Sequence, residues 1–320
     1  MKQFLSLSQY REGFHSKYIQ LINGASVHYV EANPQGVRTV IIVHGITGTH
    51  YSMLPMASEW MRLGDRVLVV DLPGHGRSNR IAVASFDDMA HWLHEVIQQL
   101  CPAQSFVLVG NSFGSGVCAQ YARIYGLREE CGMVLGAPIP TLAPTMQKLE
   151  RITSRLPEKI MQAIYYSNRL AEPLRISILL RQHHNKNARH LVSEMIRNEG
   201  PLVQHRYAFG VLMPSYYRAN VFSTPLPKNI RRRTIVVHGD ADRLAGREVY
   251  MLMQDFMKGS CNVVVAPRCG HLVHVEAIDA QMSAVDSLRE MASSLLLSAR
   301  LQSKQTISMS PQFSENGDHM

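Results

Sequence analysis

Ser112 stands in Gly110-Asn111-Ser112-Phe113-Gly114, between an apolar run of strand character, Phe106 to Val109, and a segment suited to helix that runs on through Val117 to Ala122. A serine on so sharp a strand-to-helix turn is held in strained backbone, with its hydroxyl clear of the chain and glycines on either side where a Cβ would clash. Phe113, first residue of the helix, would aim its N–H at an oxyanion beside that hydroxyl. The chemistry is attack on an acyl carbon. Serine is a weak nucleophile at neutral pH, so it needs a base to take its proton and an acid to orient the base. Downstream, the run Thr234 to Gly239 leads into Asp240-Ala241-Asp242, and the run Cys261 to Val265 is followed by Gly270-His271, with His274 three residues on. Ser112, the two aspartates and His271 therefore all lie just beyond the carboxyl ends of strands, the edge where an open parallel sheet binds ligands.

The elements that must position them can be read from periodicity. Lys17 to Ile22 and Ser26 to Glu31 flank Asn23-Gly24, a hairpin signal. Arg38 to Val43 is a β-branched run expected for a strand buried on both faces, and it delivers His44-Gly45. Ser52 to Leu63, Phe86 to Leu100, Phe113 to Tyr125, Arg247 to Met257 and Ala277 to Leu297 have helical spacing; Arg66 to Val70 and Cys131 to Leu135 read as further strands. Residues 1–16 carry no period and read as an irregular lead-in, and 299–320 as a polar, disordered tail. Between Pro138 and Arg233 the strands stop. Residues 139–232 read as an inserted helical lid, with helices over Pro144 to Arg155, Glu158 to Leu170, Glu172 to Arg181 and Ala188 to Asn198, punctuated by Pro157, Pro173, Pro201 and Pro214.

The 320 residues, 46% apolar, suffice for one large α/β domain over 17–138 and 233–298 carrying that insertion. No apolar run reaches the length of a membrane span, and the first residues are broken by Gln9 and Arg11 before a signal-type segment forms, which favours the cytoplasm. The five cysteines are scattered without a C-x-x-C pair, so they read as reduced and buried rather than as metal ligands. No metal or cofactor is expected. Charge is distributed unevenly: from Pro140 to Arg232 there are 15 Lys plus Arg against 5 Asp plus Glu, a net +10 where the whole chain is +8, leaving the remainder at −2. A basic insertion over the site could steer an anionic partner: a carboxylated ester, a coenzyme A thioester, an acidic acyl carrier protein or an anionic membrane surface. No nucleic-acid fold or stacking motif accompanies the charge.

Four motifs together resemble the α/β-hydrolase superfamily over about residues 18 to 297: His44-Gly45-Ile46-Thr47-Gly48, Asp71-Leu72-Pro73-Gly74-His75-Gly76-Arg77-Ser78, the serine turn, and the Asp242/His271 pair. The resemblance implies a mostly parallel eight-stranded sheet with helices on both faces and an inserted lid. It selects Asp242 over Asp240 as the acid and His271 over His274 as the base, and it makes the N–H of Ile46 the second oxyanion donor beside that of Phe113. His44 and His75 read as structural loop residues, and Asp71 and Arg77 as bonding their own turn. The implied activity is hydrolysis of a carboxylic ester or thioester through an acyl-enzyme on Ser112. Asn111 before the serine also resembles the turn of carbon–carbon bond hydrolases that act on aromatic ring-fission products, although Gly45-Ile46-Thr47-Gly48-Thr49 is poorer in glycine and serine than their oxyanion loop. A catalytically silent binding protein on the same fold is the third reading.

Overall fold

The computed structural model describes residues 5–102, 105–141, 157, 159–160, 176–180, 186–199, 202–245, 248–259 and 262–290. Eight strands form one sheet: β1 (His15–Gln20), β2 (Ser26–Ala32), β3 (Thr39–Val43), β4 (Arg66–Val70), β5 (Phe106–Asn111), β6 (Gly132–Gly136), β7 (Thr234–Gly239) and β8 (Val263–Ala266), in the order β1-β2-β4-β3-β5-β6-β7-β8. β1/β2 and β2/β4 are antiparallel and every later pairing is parallel, so β3 through β8 all point their carboxyl ends to one edge.

The continuous apolar run of β3 has a simple cause. Ile41 and Val43 join the core on one face of the sheet, while Val40 and Ile42 join the core on the other. Helices cover both faces, and a central strand then has no polar side. On the first face lie α3 (Asp87–Leu100) and α4 (Phe113–Tyr125), together with buried residues of 203–230 and 249–257. On the second lie α1 (Leu7–Arg11), α2 (His50–Arg62) and the helix Lys186–Glu199, together with buried residues of 275–288.

The expected irregular lead-in is corrected at its start. Leu7–Arg11 is a helical turn capped by a reciprocal Ser6/Gln9 box, and β1 already begins at His15. Five residues are too few to show a period, but Leu7 and Tyr10 are buried against the second core, and tertiary packing supplies what local propensity does not. Between β6 and β7 the described residues add no strand. The expected helix Ala188 to Asn198 appears as Lys186–Glu199. The expected helix over 144–155 lies outside the described residues, as do most of those over 158–170 and 172–181, although 176–179 are helical. Pro214 does not punctuate: His205–Tyr207, Ala208–Leu212 and Met213–Ala219 run on as one helical stretch, with a π-helical middle segment just before the proline. Wider π winding re-registers the carbonyls ahead of a residue that has no N–H to offer. The helix after β8 covers 278–290 in the described part, and the expected tail over 299–320 lies outside it. Among the described residues no helix is long and apolar enough to cross a membrane.

Candidate active site

β5 ends at Asn111 and α4 begins at Phe113, so Ser112 alone makes the turn, at φ 53° and ψ −118°. A non-glycine residue in this region costs about 1–3 kcal/mol and persists only where its surroundings over-determine it. They do so here. Ser112 N–H donates to the Gly136 carbonyl at the end of β6 (2.8 Å), and Ser115 Oγ donates to the same carbonyl (2.8 Å) and to that of Gly110 (3.0 Å). A Cβ on Gly110 would stand 2.5 Å from the Gly114 oxygen, and one on Gly114 would stand 2.3 Å from the Val43 oxygen, so the turn closes only with glycine at both places.

Beside it, a Cβ on Gly45 would stand 3.0 Å from Ser112 Cβ and 3.5 Å from its Oγ, which puts the loop after β3 against the serine. Ile46 follows on that loop. Its path is set by the buried His44, whose Nδ1–H donates to the Gly45 carbonyl (2.8 Å) and whose Nε2 accepts from Leu72 N–H (3.0 Å). Thr49 N–H donates to Glu199 of the inserted segment (2.9 Å). Phe113 is the first residue of α4, where a backbone N–H has no acceptor within its own helix.

Two strands away Asp242 lies beyond β7, and three strands away His271 lies beyond β8. His271 Nδ1–H donates to Asp242 Oδ2 at 2.8 Å, and Asp242 Oδ1 accepts from the amides of Leu244 (2.8 Å) and Ala245 (3.3 Å). Burial works against the Asp242 charge, but the facing His271 imidazole and the Leu244 amide outweigh it and hold the carboxyl below its ordinary range. A carboxylate can only accept, so the proton of a neutral His271 sits on Nδ1 and leaves the Nε2 lone pair available. Asp240 is exposed and instead accepts from Cys269 N–H (3.1 Å). His274 is buried, neither ring nitrogen has a hydrogen-bond partner among the described residues, and burial lowers it to about 3. The serine turn and the His271 loop adjoin through Gly136: a Cβ there would stand 3.2 Å from Val273 Cγ2, while its carbonyl takes the Ser112 N–H.

Asp71 does more than bond its own turn. It accepts from His28 Nδ1–H (2.6 Å), from His50 N–H (2.7 Å) and Nδ1–H (3.0 Å), and from Arg77 N–H (3.3 Å). A Cβ on Gly76, which has φ +57°, would collide with the carboxylate at 1.8 Å. Burial opposes the charge, yet the two imidazoles keep Asp71 ionised far below the usual carboxylate range. His28, His50 and Asp71 have potential ligand atoms within 4.8 Å of one another. Each of those atoms already serves an N–H···O bond, so the group is a closed hydrogen-bond network and no ion is assigned to it. The two histidines carry no sequence signal: one alternates along a strand and the other opens a helix.

Residues 38–278 match the alpha/beta hydrolase fold family, and the chain belongs to it. A protein of Synechocystis sp. provisionally named a non-heme chloroperoxidase is 27% identical over 231 residues, covering 69% of this chain and 80% of that one. The 2-succinyl-6-hydroxy-2,4-cyclohexadiene-1-carboxylate synthase of Escherichia coli O157:H7 is 35% identical over 121 residues, 36% of this chain; the match spans less than half of the synthase, 44%. Among solved structures, a thermophilic esterase from Thermogutta terrifontis superposes with a TM-score of 0.64 at 20% identity, covering 87% of this chain and 99% of that one, a likeness of fold.

Proposed function

We propose that the protein is a serine hydrolase that cleaves a carboxylic ester or thioester through an acyl-enzyme on Ser112. The observation that carries the reading is the 2.8 Å His271–Asp242 bond on the same sheet edge as a serine held at φ 53°. In this mechanism Ser112 Oγ attacks the acyl carbon as its proton passes to His271 Nε2. Asp242 keeps the other ring proton on Nδ1 and stabilises the imidazolium. The N–H groups of Ile46 and Phe113 hold the tetrahedral oxyanion, each donor worth roughly 2.7–4 kcal/mol of activation free energy. The leaving alcohol or thiol takes the proton from His271, and water then releases the acid by the same route.

The substrate class follows from charge. Net +10 over residues 140–232, in an insertion that reaches the oxyanion loop through Glu199 and the 71–78 turn through Gln204, favours a substrate bearing a carboxylate or an acidic carrier. That one relative is a synthase of a carboxylate agrees with this class. The four described cysteines are free and buried, which suits work in a reducing compartment such as the cytoplasm. A second reading, carbon–carbon bond hydrolysis by the same three side chains, draws on Asn111, whose Oδ1 is buried without a partner beside the nucleophile.

The test is labelling with a fluorophosphonate probe, wild type against Ser112→Ala, followed by a panel of esters with and without a terminal carboxylate. Labelling at Ser112 and a carboxylate preference that shrinks as salt rises are expected. A folded wild type that does not label overturns the hydrolase reading and favours the silent binding protein; equal turnover of charged and neutral esters overturns the anionic class alone.

A further inference from the structure

On the far side of the sheet from β8, a second serine, histidine and aspartate stand in line. Ser16 lies on β1, the edge strand, and is exposed; Ser16 Oγ is 2.6 Å from His28 Nε2, and His28 Nδ1 is 2.6 Å from Asp71 Oδ2. The antiparallel register pairs Ser16 with Val30 and Tyr18 with His28, so serine and imidazole meet diagonally on one face of the hairpin. The Tyr18 ring, 5.1 Å from the imidazole, flanks it across the strands.

With His28 neutral, donor inventory sets the direction of each bond. Asp71 accepts only, so the ring proton of a neutral His28 sits on Nδ1, and Nε2 must accept from the Ser16 O–H. Asp71 is itself anchored by His50 and by the Arg77 amide, so it cannot swing away from His28. His28 is 1% exposed and Asp71 is fully buried, while Ser16, whose Oγ turns to the imidazole, is an exposed residue of the edge strand. A hydroxyl, a base and an orienting carboxylate in this relation are the parts of an activated nucleophile.

We propose that Ser16 is a second activated hydroxyl, a site of covalent acylation by small activated carboxylic esters, independent of Ser112. In the step, Ser16 Oγ bonds to the acyl carbon as its proton passes to His28 Nε2. The bond from that carbon to the leaving oxygen breaks, and His28 returns the proton to the leaving group, so the products are an ester on Ser16 and the free alcohol. The site lies four strands away from the serine turn, on the edge strand β1, and its reactivity stands whether or not Ser112 is the catalytic serine.

The experiment uses the full-length Ser112→Ala protein, treated with p-nitrophenyl acetate, followed by intact mass and peptide mapping. Hydroxylamine separates serine esters from the stable amides on Lys17 and other amines. Base assistance is typically worth 10²–10⁴-fold, so acetylation of Ser16 is expected at least roughly tenfold faster than that of the exposed Ser85. His28→Gln should bring Ser16 down to the Ser85 rate. Equal rates at Ser16 and Ser85, or a Ser16 rate unchanged by His28→Gln, overturns the proposal. Should His28→Gln fail to fold, the Ser16-to-Ser85 ratio in the Ser112→Ala protein decides by itself. In the wild type, Ser16 labelled with Ser112 silent would sink the hydrolase reading and leave this one standing.

Discussion

The histidine–aspartate pairs His271–Asp242 at 2.8 Å and His28–Asp71 at 2.6 Å are of nearly equal length, and they differ in what else grips the carboxylate. Asp242 is held by the amides of Leu244 and Ala245 on its own loop and bonds one imidazole. Asp71 divides itself between two imidazoles and amides contributed by α2 and by the 71–78 turn, and so ties β2, the start of α2 and the end of β4 together. The first arrangement only aims a side chain; the second, besides orienting His28, closes a joint between chain segments. Residue type and distance do not distinguish them, whereas the number of chain segments meeting at the carboxylate does.

Ser112→Ala breaks the comparison most severely on the Asp242 side: kcat should fall by about 10⁶, with the thermal midpoint barely moved. Asp242→Asn leaves the His271 tautomer unfixed and should cost about 10⁴ in kcat, again with a small change in stability. Asp71→Ala should behave oppositely, removing about 3–5 kcal/mol of unfolding free energy by urea titration because it strands buried hydrogen-bond donors of several segments. If Asp242→Asn proves the more destabilising of the two aspartate changes, the distinction between aiming and joining collapses.

Acid sharpens the same contrast. His44 is lowered to about 4 and His75 and His274 to about 3, each chiefly by burial, so all three are neutral in the native state. The unfolded chain binds protons below about pH 6.5 while the folded chain does not, so stability falls with pH from about 6.5 down to those values, by up to about 1.4 kcal/mol per pH unit for each histidine. His44 and His75 flank the Asp71 joint; His274 flanks the Asp242 pair. His274→Leu should therefore remove about one histidine's share of the loss between about pH 7.5 and 5.5, measured by urea midpoints, and leave the rest. The smallest effect is expected from the insertion: reversing the charge of Arg206 and Arg218 should lower kcat/KM for anionic esters by less than about tenfold, with the gap to neutral esters closing at high salt.

Much of the candidate site is legible because its residues sit at punctuation. The serine turn, the aspartates after β7 and the histidine after β8 each follow a strand whose apolar run is unmistakable, and a glycine marks the exit of each. What was hidden depends on pairings distant in sequence. His28 and His50 meet only because β2 runs antiparallel beside β4 and α2 starts over the same edge. Glu199 reaches Thr49 across 150 residues, and nothing local announces it. The capping box at Ser6 and Gln9 was written in the chain, but a helix of five residues holds by the burial of Leu7 and Tyr10, which only the folded core reveals. Pro214 does not end its helix because a π-helical segment can absorb a missing donor.

The strands β5, β7 and β8 hand over the serine, the aspartate and the histidine in that order along the chain, although they lie close together at one sheet edge. A ribosome threads the chain in the same order. The strained serine turn can form once Gly136 has emerged to accept its N–H, long before His271 has been made. If Ser112 is the nucleophile as proposed, a nascent chain cannot turn over ester at that turn until β8 docks and His271 finds Asp242, so first turnover reports docking of the last strand rather than formation of the turn.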